Sequence, residues 1–278
     1  MPAKFIKTIA GSIRKLNPDQ VKIMSRRPVR IGLTATTEAG YTAMIRFLGG
    51  TEGVYRSDHA GAPRPFDLEL FGSDMPRPVS AFTFHADDPG RTADGIVARC
   101  DEDLLIPLAR MFPVFRPLVA DRFVNKVSQE NALFSLATAL PDMIPSFLSL
   151  PWIIGEFASD TAFLTANQLK LAFMLAAANG REVGYGEQKR EVASVIAGAF
   201  GWRALARQLI AKVPFGGGLL PKAAIAYAGT WVVGRSLDKL YRTGNLLSLG
   251  ERKSVYQDGL EIGRNISRKL LAGLKYKG

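Results

Sequence analysis

A long apolar run in the last third of the chain constrains the fold more than any other feature. From Val213 to Gly234 the sequence VPFGGGLLPKAAIAYAGTWVVG spans 22 residues and carries a single charge, Lys222. Such a run is long enough to cross a hydrocarbon core about 30 Å thick, but three consecutive glycines and Pro221 interrupt it. The run therefore predicts either a hairpin in or on a membrane, or an apolar hairpin buried within a helical bundle.

The charge of the chain is concentrated at its two ends. The 278 residues include 36 Lys or Arg against 25 Asp or Glu, a net charge of +11. Residues 1–30 hold eight Lys or Arg against one Asp, and residues 235–278 hold ten against four acidic residues. Basic ends of this kind attract anionic lipid headgroups or nucleic acid. Solvated helix faces are the alternative that requires no partner.

Two segments, one of them at the basic N-terminal end, combine cations with helical spacing. Residues 1–16 predict a short amphipathic helix, which suits either a membrane surface or the body of the protein. A second helix, predicted over 202–213, presents three cations on one side because they lie four and five residues apart. The lipid-binding candidates of the two segments are Lys4, Lys7, Arg14, Lys15, Arg203, Arg207 and Lys212.

The remaining composition argues against several classes of protein. Cys100 is the single cysteine, so no internal disulfide is expected, and the first 16 residues lack the long apolar core of a signal peptide. These features predict a cytoplasmic chain. With two histidines and no cluster of Cys and His, we expect neither a metal nor a cofactor.

Residues 28–110 are predicted to form a small α/β unit. Helices are predicted over 42–48, ending at Gly49, and over 102–111, whereas 51–65 read as a loop. The predicted strands are 29–33, 67–71, 79–85 and 96–100.

The first strand, loop and helix of this unit follow the layout of a phosphate-binding loop, G-x-x-x-x-G-K-[ST]. Gly40 and Thr42 fit the motif, whereas Ala35 replaces its first glycine and Tyr41 stands where its lysine belongs. Glu38 adds a negative charge where a polyanion would sit. The missing lysine and the added glutamate both oppose nucleotide binding.

The segment Asp87-Asp88-Pro89-Gly90 follows a predicted strand and matches a D-x-P-G turn. Together with the loop, it makes residues 28–105 resemble a truncated Ras-like GTPase domain. The resemblance implies that Asp87 and Gly90 contact magnesium and the γ-phosphate beside Gly40 and Thr42. Since no N-K-x-D motif follows, we expect a vestigial site without hydrolysis. A GTP-binding regulatory or membrane-remodelling protein is the alternative.

Helical periodicity dominates from Pro113 onward. A helix is predicted over 160–178, capped by Asp160 and ended by Gly180. Further helices are predicted over 186–199, 222–240 and 251–274, with a turn at 214–221. On the 160–178 helix, the adjacent polar residues Asn167 and Gln168 are expected to make a buried contact between helices rather than a ligand site.

Three segments in this half occur in an order that resembles a known family. They are LPDMIPSFLSLP, TANQLKLAFMLAAANG and EVASVIAGAFGWRALARQLIAKVPFGGGLLPKAAIAYAGTWVVGRSLDKLY. In this order they make residues 131–243 resemble the YcjF-like family, bacterial domains of unknown function that are often associated with the inner membrane and fused to GTPase domains. The resemblance implies a position on the cytoplasmic side of that membrane and suggests a GTPase as protein partner. It implies no catalytic residue.

These features together predict an α+β, mainly helical protein. A basic helix (1–27) precedes the truncated P-loop-like α/β unit (28–110), an all-α domain with apolar hairpins (113–243) and a second basic helix (244–278). The function we expect is that of a non-catalytic scaffold or partner-binding protein at an anionic membrane surface. A soluble nucleic-acid-binding protein is the alternative from another class, although no recognisable binding module supports it.

Overall fold

The computed structural model describes residues 17–58, 65–138, 160–195 and 219–275, which divide into two compact units. The sheet unit takes in Asp19–Asp121 and Ala176–Val183, and the helical unit takes in the described residues of Arg122–Leu175 and Gly184–Gly278. A mainly helical chain with a small sheet confirms the predicted α+β class.

The first part of the chain contains short helices and all four strands, and long helices follow. The first elements are α1 (Pro18–Ser25), β1 (Ile31–Thr34), α2 (Glu38–Leu48), β2 (Val54–Arg56), β3 (Leu68–Gly72), β4 (Phe82–Phe84), α3 (Pro89–Arg99), α4 (Glu102–Met111) and a 3-10 turn (Pro113–Phe115). The long helices are α5 (Arg116–Ala137), α6 (Asp160–Ala178), α7 (Leu219–Thr243) and α8 (Leu249–Lys275). Residues 189–195 are helical as well.

The four strands form a parallel sheet in the order β2-β1-β3-β4. Ile31 of β1 is in register with Val54 and Leu68, and Leu70 of β3 is in register with Phe82. The central strands carry apolar side chains that are almost completely buried, as expected of a parallel sheet covered on both faces. Because all strands run the same way, their carboxyl ends meet at one edge.

Two of the predictions for the sheet unit are wrong. Residues 54–56 were expected in a loop but form β2. Residues 96–99, expected in a strand, belong to α3, and Cys100 follows as its C-cap. Asp88 caps α3 and Pro89 begins it, so the apolar residues that follow take helical spacing and bury one face.

Several predicted helix ends agree with the structure. Helix α2 ends at Gly49, whose φ of 84° is in the left-handed region that favours glycine. Helix α6 spans Asp160–Ala178 as predicted, and Gly180 has a φ of 75°. Helix α8 matches the predicted basic helix within two residues at its start.

The apolar run contributes to α7. Its residues 219–234 are helical, so Pro221 lies in the first turn rather than in the predicted turn, and residues 213–218 lie outside the described ranges. A proline is tolerated there because the first-turn N–H groups have no helical partner. Among the described helices, none combines the length and apolarity needed to cross a membrane.

Helices α7 and α8 form a hairpin whose closest approach requires glycine. A Cβ atom on Gly263 would lie 2.9 Å from the Ala224 carbonyl oxygen, and one on Gly259 would lie 2.9 Å from the Trp231 ring. The two glycines are four residues apart and therefore face α7 together. The hairpin thus uses the small-residue packing found where helix backbones touch.

A buried polar network connects α5, α6 and α7. The Asn131 side-chain amide donates to the Thr230 hydroxyl at 2.7 Å, and Gln168 donates to the same oxygen at 3.2 Å. Asn167 donates to the Asn131 side-chain oxygen at 2.9 Å. The expected contact of Asn167 and Gln168 between helices is therefore confirmed.

Candidate functional site

The carboxyl edge of the sheet places a polar pair at the point where the chain changes direction. In this sheet β1 lies between β2 and β3. The chain therefore passes from β1 to β2 on one side of β1 and then crosses to β3 on its other side. Crevices of this kind are where open α/β sheets bind ligands. Here the Thr36 hydroxyl, after β1, donates to an Asp74 carboxylate oxygen, after β3, at 2.7 Å. Both residues are exposed.

The loop between β1 and α2 is occupied by its own side chains. The Gly40 backbone N–H donates to the Thr37 hydroxyl at 3.1 Å, which caps α2. Glu38 forms an ion pair with Arg56, whose guanidinium holds the pKa of that carboxyl below its usual value. The same guanidinium lies 4.3 Å from the centroid of the Tyr41 ring. The Gly40 N–H and the Arg56 guanidinium could each bind a phosphate, but both already have partners within the protein, Thr37 and Glu38.

The four predicted nucleotide contacts lie in two separate places. Gly40 and Thr42 are in the first turns of α2, after β1, whereas Asp87 and Gly90 follow β4. Because β3 lies between β1 and β4, the two pairs are about two strand spacings apart, roughly 10 Å. The two pairs therefore follow strands that are not neighbours in the sheet, and they do not form one site.

The D-x-P-G segment has a structural role at the start of α3. A side-chain oxygen of Asp88 accepts from the Arg91 N–H at 3.1 Å, and Pro89 occupies the first turn. Asp87 and Gly90 are both exposed. In the described part of the chain, no group of three or more His, Cys, Asp or Glu is placed to hold a metal ion.

All seven predicted lipid-binding residues lie outside the described residues. Helix α8, which was predicted only as a basic helix, carries several exposed cations in the described part of the chain. Its exposed Lys and Arg side chains are Lys253, Arg264, Arg268 and Lys269.

Helix α8 has two distinct faces. One buries Tyr256, Gly259, Gly263 and Ser267, and the Ser267 hydroxyl donates to the Gly263 carbonyl at 2.6 Å. The exposed side carries a groove of about 430 Å³, whose described lining is Gln257, Leu260, Glu261, Arg264, Asn265 and Arg268.

The sequence did contain a signal for this arrangement. The G-x-x-x-G spacing at 259–263 marks the packed face, and the four-residue spacing of Arg264 and Arg268 marks a stripe on the other side. Reading the two spacings together would have identified both arginines.

Comparisons with known proteins show no match for this chain among protein-family models, curated proteins or solved structures. The resemblances to YcjF-like domains and to Ras-like GTPases therefore stay predictions.

Proposed function

We propose that this chain is a non-catalytic, partner-binding scaffold that acts at an anionic membrane surface, on the cytoplasmic side of a bacterial inner membrane. The observation that carries the proposal is the two-faced helix α8. Glycines fix one side of it against α7, and the opposite side presents exposed cations. A helix held rigidly in this way offers its charges to an anionic surface without the entropy cost of ordering them.

The geometry of the sheet unit supports the non-catalytic part of the proposal. Tyr41 occupies the lysine position of the phosphate loop, and Arg56 is neutralised by Glu38. Asp87 and Gly90 lie beyond an intervening strand. A unit of this kind serves as a protein-binding surface more readily than as a nucleotide site, and a GTPase is the partner that the sequence suggests.

Vesicle co-sedimentation tests the membrane part of the proposal. We expect the full chain to bind vesicles that contain phosphatidylglycerol, to bind vesicles of phosphatidylcholine alone much more weakly, and to be released by high salt. Equal binding to both kinds of vesicle, or none to either, would contradict the proposal. In cells, alkaline carbonate washing of the membrane fraction separates surface binding, which is released, from embedding, which is retained.

Two further measurements test the alternatives on the same purified protein. Magnesium-dependent GTP hydrolysis would favour the GTPase alternative. Retention on duplex DNA, with an affinity that falls steeply with salt, would favour the nucleic-acid alternative. The scaffold proposal expects neither activity.

A further inference from the structure

The groove on the exposed side of α8 has a composition suited to a phosphate ester. Its described lining combines two guanidinium groups, two side-chain amides, one carboxylate and one apolar side chain. Amides and guanidinium groups donate hydrogen bonds, and a carboxylate accepts them. The groove therefore offers complementary partners to a ligand that carries both a phosphate and hydroxyl groups.

Arg264 and Arg268 are placed to act on one phosphate. They lie four residues apart, so their Cα atoms are separated by about 6 Å along the helix and point to the same side. Neither forms an ion pair with any residue that the structure describes. The Asn265 side-chain oxygen accepts a hydrogen bond from Arg268 at 3.3 Å, and both residues line the groove.

Guanidinium groups bind phosphate oxygens through paired hydrogen bonds that an ammonium group does not offer. The two arginines should therefore contribute more than their charge alone. The exposed lysines of α8, Lys253 and Lys269, are not among the residues that line the groove, and they supply charge without this geometry.

Glu261 decides which kind of phosphate fits. Its carboxylate lines the same groove, so it repels a second negative charge on the ligand and accepts hydrogen bonds from hydroxyl groups. Leu260 adds an apolar contact beside it. This combination favours a phosphodiester with one charge and free hydroxyls over a phosphomonoester with two charges.

We infer that this groove is a binding site for the glycerophosphodiester headgroup of an anionic phospholipid, held by Arg264, Arg268 and Glu261. The inference rests on the proposed function and deepens it, because it names the lipid class and the residues that select it. Charge complementarity and the groove on the exposed side of a rigidly packed helix carry it.

The test compares two variants of equal charge. Arg264→Gln with Arg268→Gln removes the guanidinium pair, and Lys253→Gln with Lys269→Gln removes the same charge from the same helix outside the groove. We expect the arginine variant to lose at least about tenfold more affinity for phosphatidylglycerol vesicles than the lysine variant. All four side chains are exposed, so thermal unfolding should confirm that both variants fold.

The outcomes separate the groove from the proposed function. Equal losses in the two variants overturn the site and leave charge-driven membrane binding intact. A wild-type protein that does not bind phosphatidylglycerol vesicles would contradict the proposed function. If that protein binds soluble glycerophosphoglycerol through the two arginines, the phosphodiester site stands and its assignment to a membrane lipid is overturned.

A third variant tests the role of Glu261 without altering the arginines. Glu261→Gln should raise the affinity for phosphatidic acid, a monoester, by several-fold relative to phosphatidylglycerol. An unchanged preference between these two lipids would overturn the assignment of Glu261 as the residue that selects the diester.

Discussion

The guanidinium of Arg56 covers the ring of Tyr41 at 4.3 Å while it pairs with the carboxylate of Glu38. Tyr41 itself is buried. Three residues from the end of β2 and the start of α2 thus form one contact where a nucleotide-binding loop would hold its lysine and its phosphate. The loop is stabilised by its own side chains.

Replacing Tyr41 by lysine should therefore destabilise the protein. The substitution removes a buried ring, loses the cation–π contact and brings an ammonium group close to Arg56, which together should lower the free energy of unfolding by about 2–4 kcal/mol. Chemical denaturation measures this loss. The control is Thr42→Lys at the exposed neighbouring position, which should stay within about 0.5 kcal/mol of wild type.

The same variant tests the vestigial character of the loop. A fluorescent GTP analogue with magnesium should bind neither wild type nor Tyr41→Lys, because Gly40 N–H is already bonded to Thr37 and Arg56 to Glu38. Tight binding of the analogue to either protein would show that the loop still serves nucleotide.

The adjacent carboxylates Asp87 and Asp88 should respond differently to truncation. Asp88→Ala removes the cap of α3 and should cost about 1 kcal/mol of stability. Asp87→Ala removes an exposed side chain and should be nearly neutral. Thermal unfolding distinguishes the two. If the protein were a GTPase, Asp87→Ala would abolish GTP hydrolysis while leaving the fold intact.

The residues of α3 show why the sequence alone predicted part of the fold and not the rest. Residues 96–100 were interpreted as a strand because a short apolar run has no period of its own. Asp88, eight residues before Ile96, caps a helix that begins at Pro89, and this helix includes residues 96–99. In contrast, both ends of α6 were predicted, because an aspartate, a residue type favoured at helix starts, and Gly180 mark them in the sequence.

The candidate sites were harder to predict than the elements. Thr36 and Asp74 are 38 residues apart, and only the strand order places them together. The groove of α8 depends on which side of the helix the glycines bury. The spacing of Arg264 and Arg268 was visible in the sequence, but their exposure follows from the packing of α7 against Gly259 and Gly263.

Adding one methyl group at Gly263 should separate α7 from α8. The new Cβ atom would lie 2.9 Å from the Ala224 carbonyl oxygen and from the Tyr227 Cβ atom, and backbone cannot move as a side-chain tip does. We expect Gly263→Ala to cost about 1–3 kcal/mol. In the same helix Gly250→Ala meets no atom within 4 Å, so it should be neutral or stabilise by up to about 1 kcal/mol. Equal effects in denaturation would contradict close packing at Gly263.

The polar network of the helical unit should show strong coupling. Thr230→Val leaves the amide donors of Asn131 and Gln168 without their shared oxygen, at a cost of about 1–3 kcal/mol. Asn131→Leu should cost a similar amount. The double variant should lose less stability than the sum of the losses in the two single variants, because both substitutions remove the same hydrogen bond. A double-mutant cycle by denaturation measures this coupling, and strict additivity would contradict a direct contact.

A neighbouring part of the hairpin, the start of α8, should make stability depend on pH. Glu251 accepts a hydrogen bond from Lys239 at 2.6 Å and another from the Ser248 backbone N–H at 2.8 Å, and these bonds lower the pKa of Glu251 to about 2. The Ser248 hydroxyl in turn accepts from the Glu251 N–H, which completes a capping box.

A carboxyl with a lowered pKa in the folded state binds its proton more readily when unfolded. Its contribution to stability is therefore complete above the unfolded pKa, about 4.5, and is lost as the pH falls towards about 2. We expect wild type to exceed Glu251→Gln in denaturation midpoint at neutral pH, with the difference shrinking below about pH 4.5. The control is Asp258→Asn, which removes another exposed carboxylate from the same helix. A difference between wild type and Glu251→Gln that stays constant across this range would contradict the charged cap.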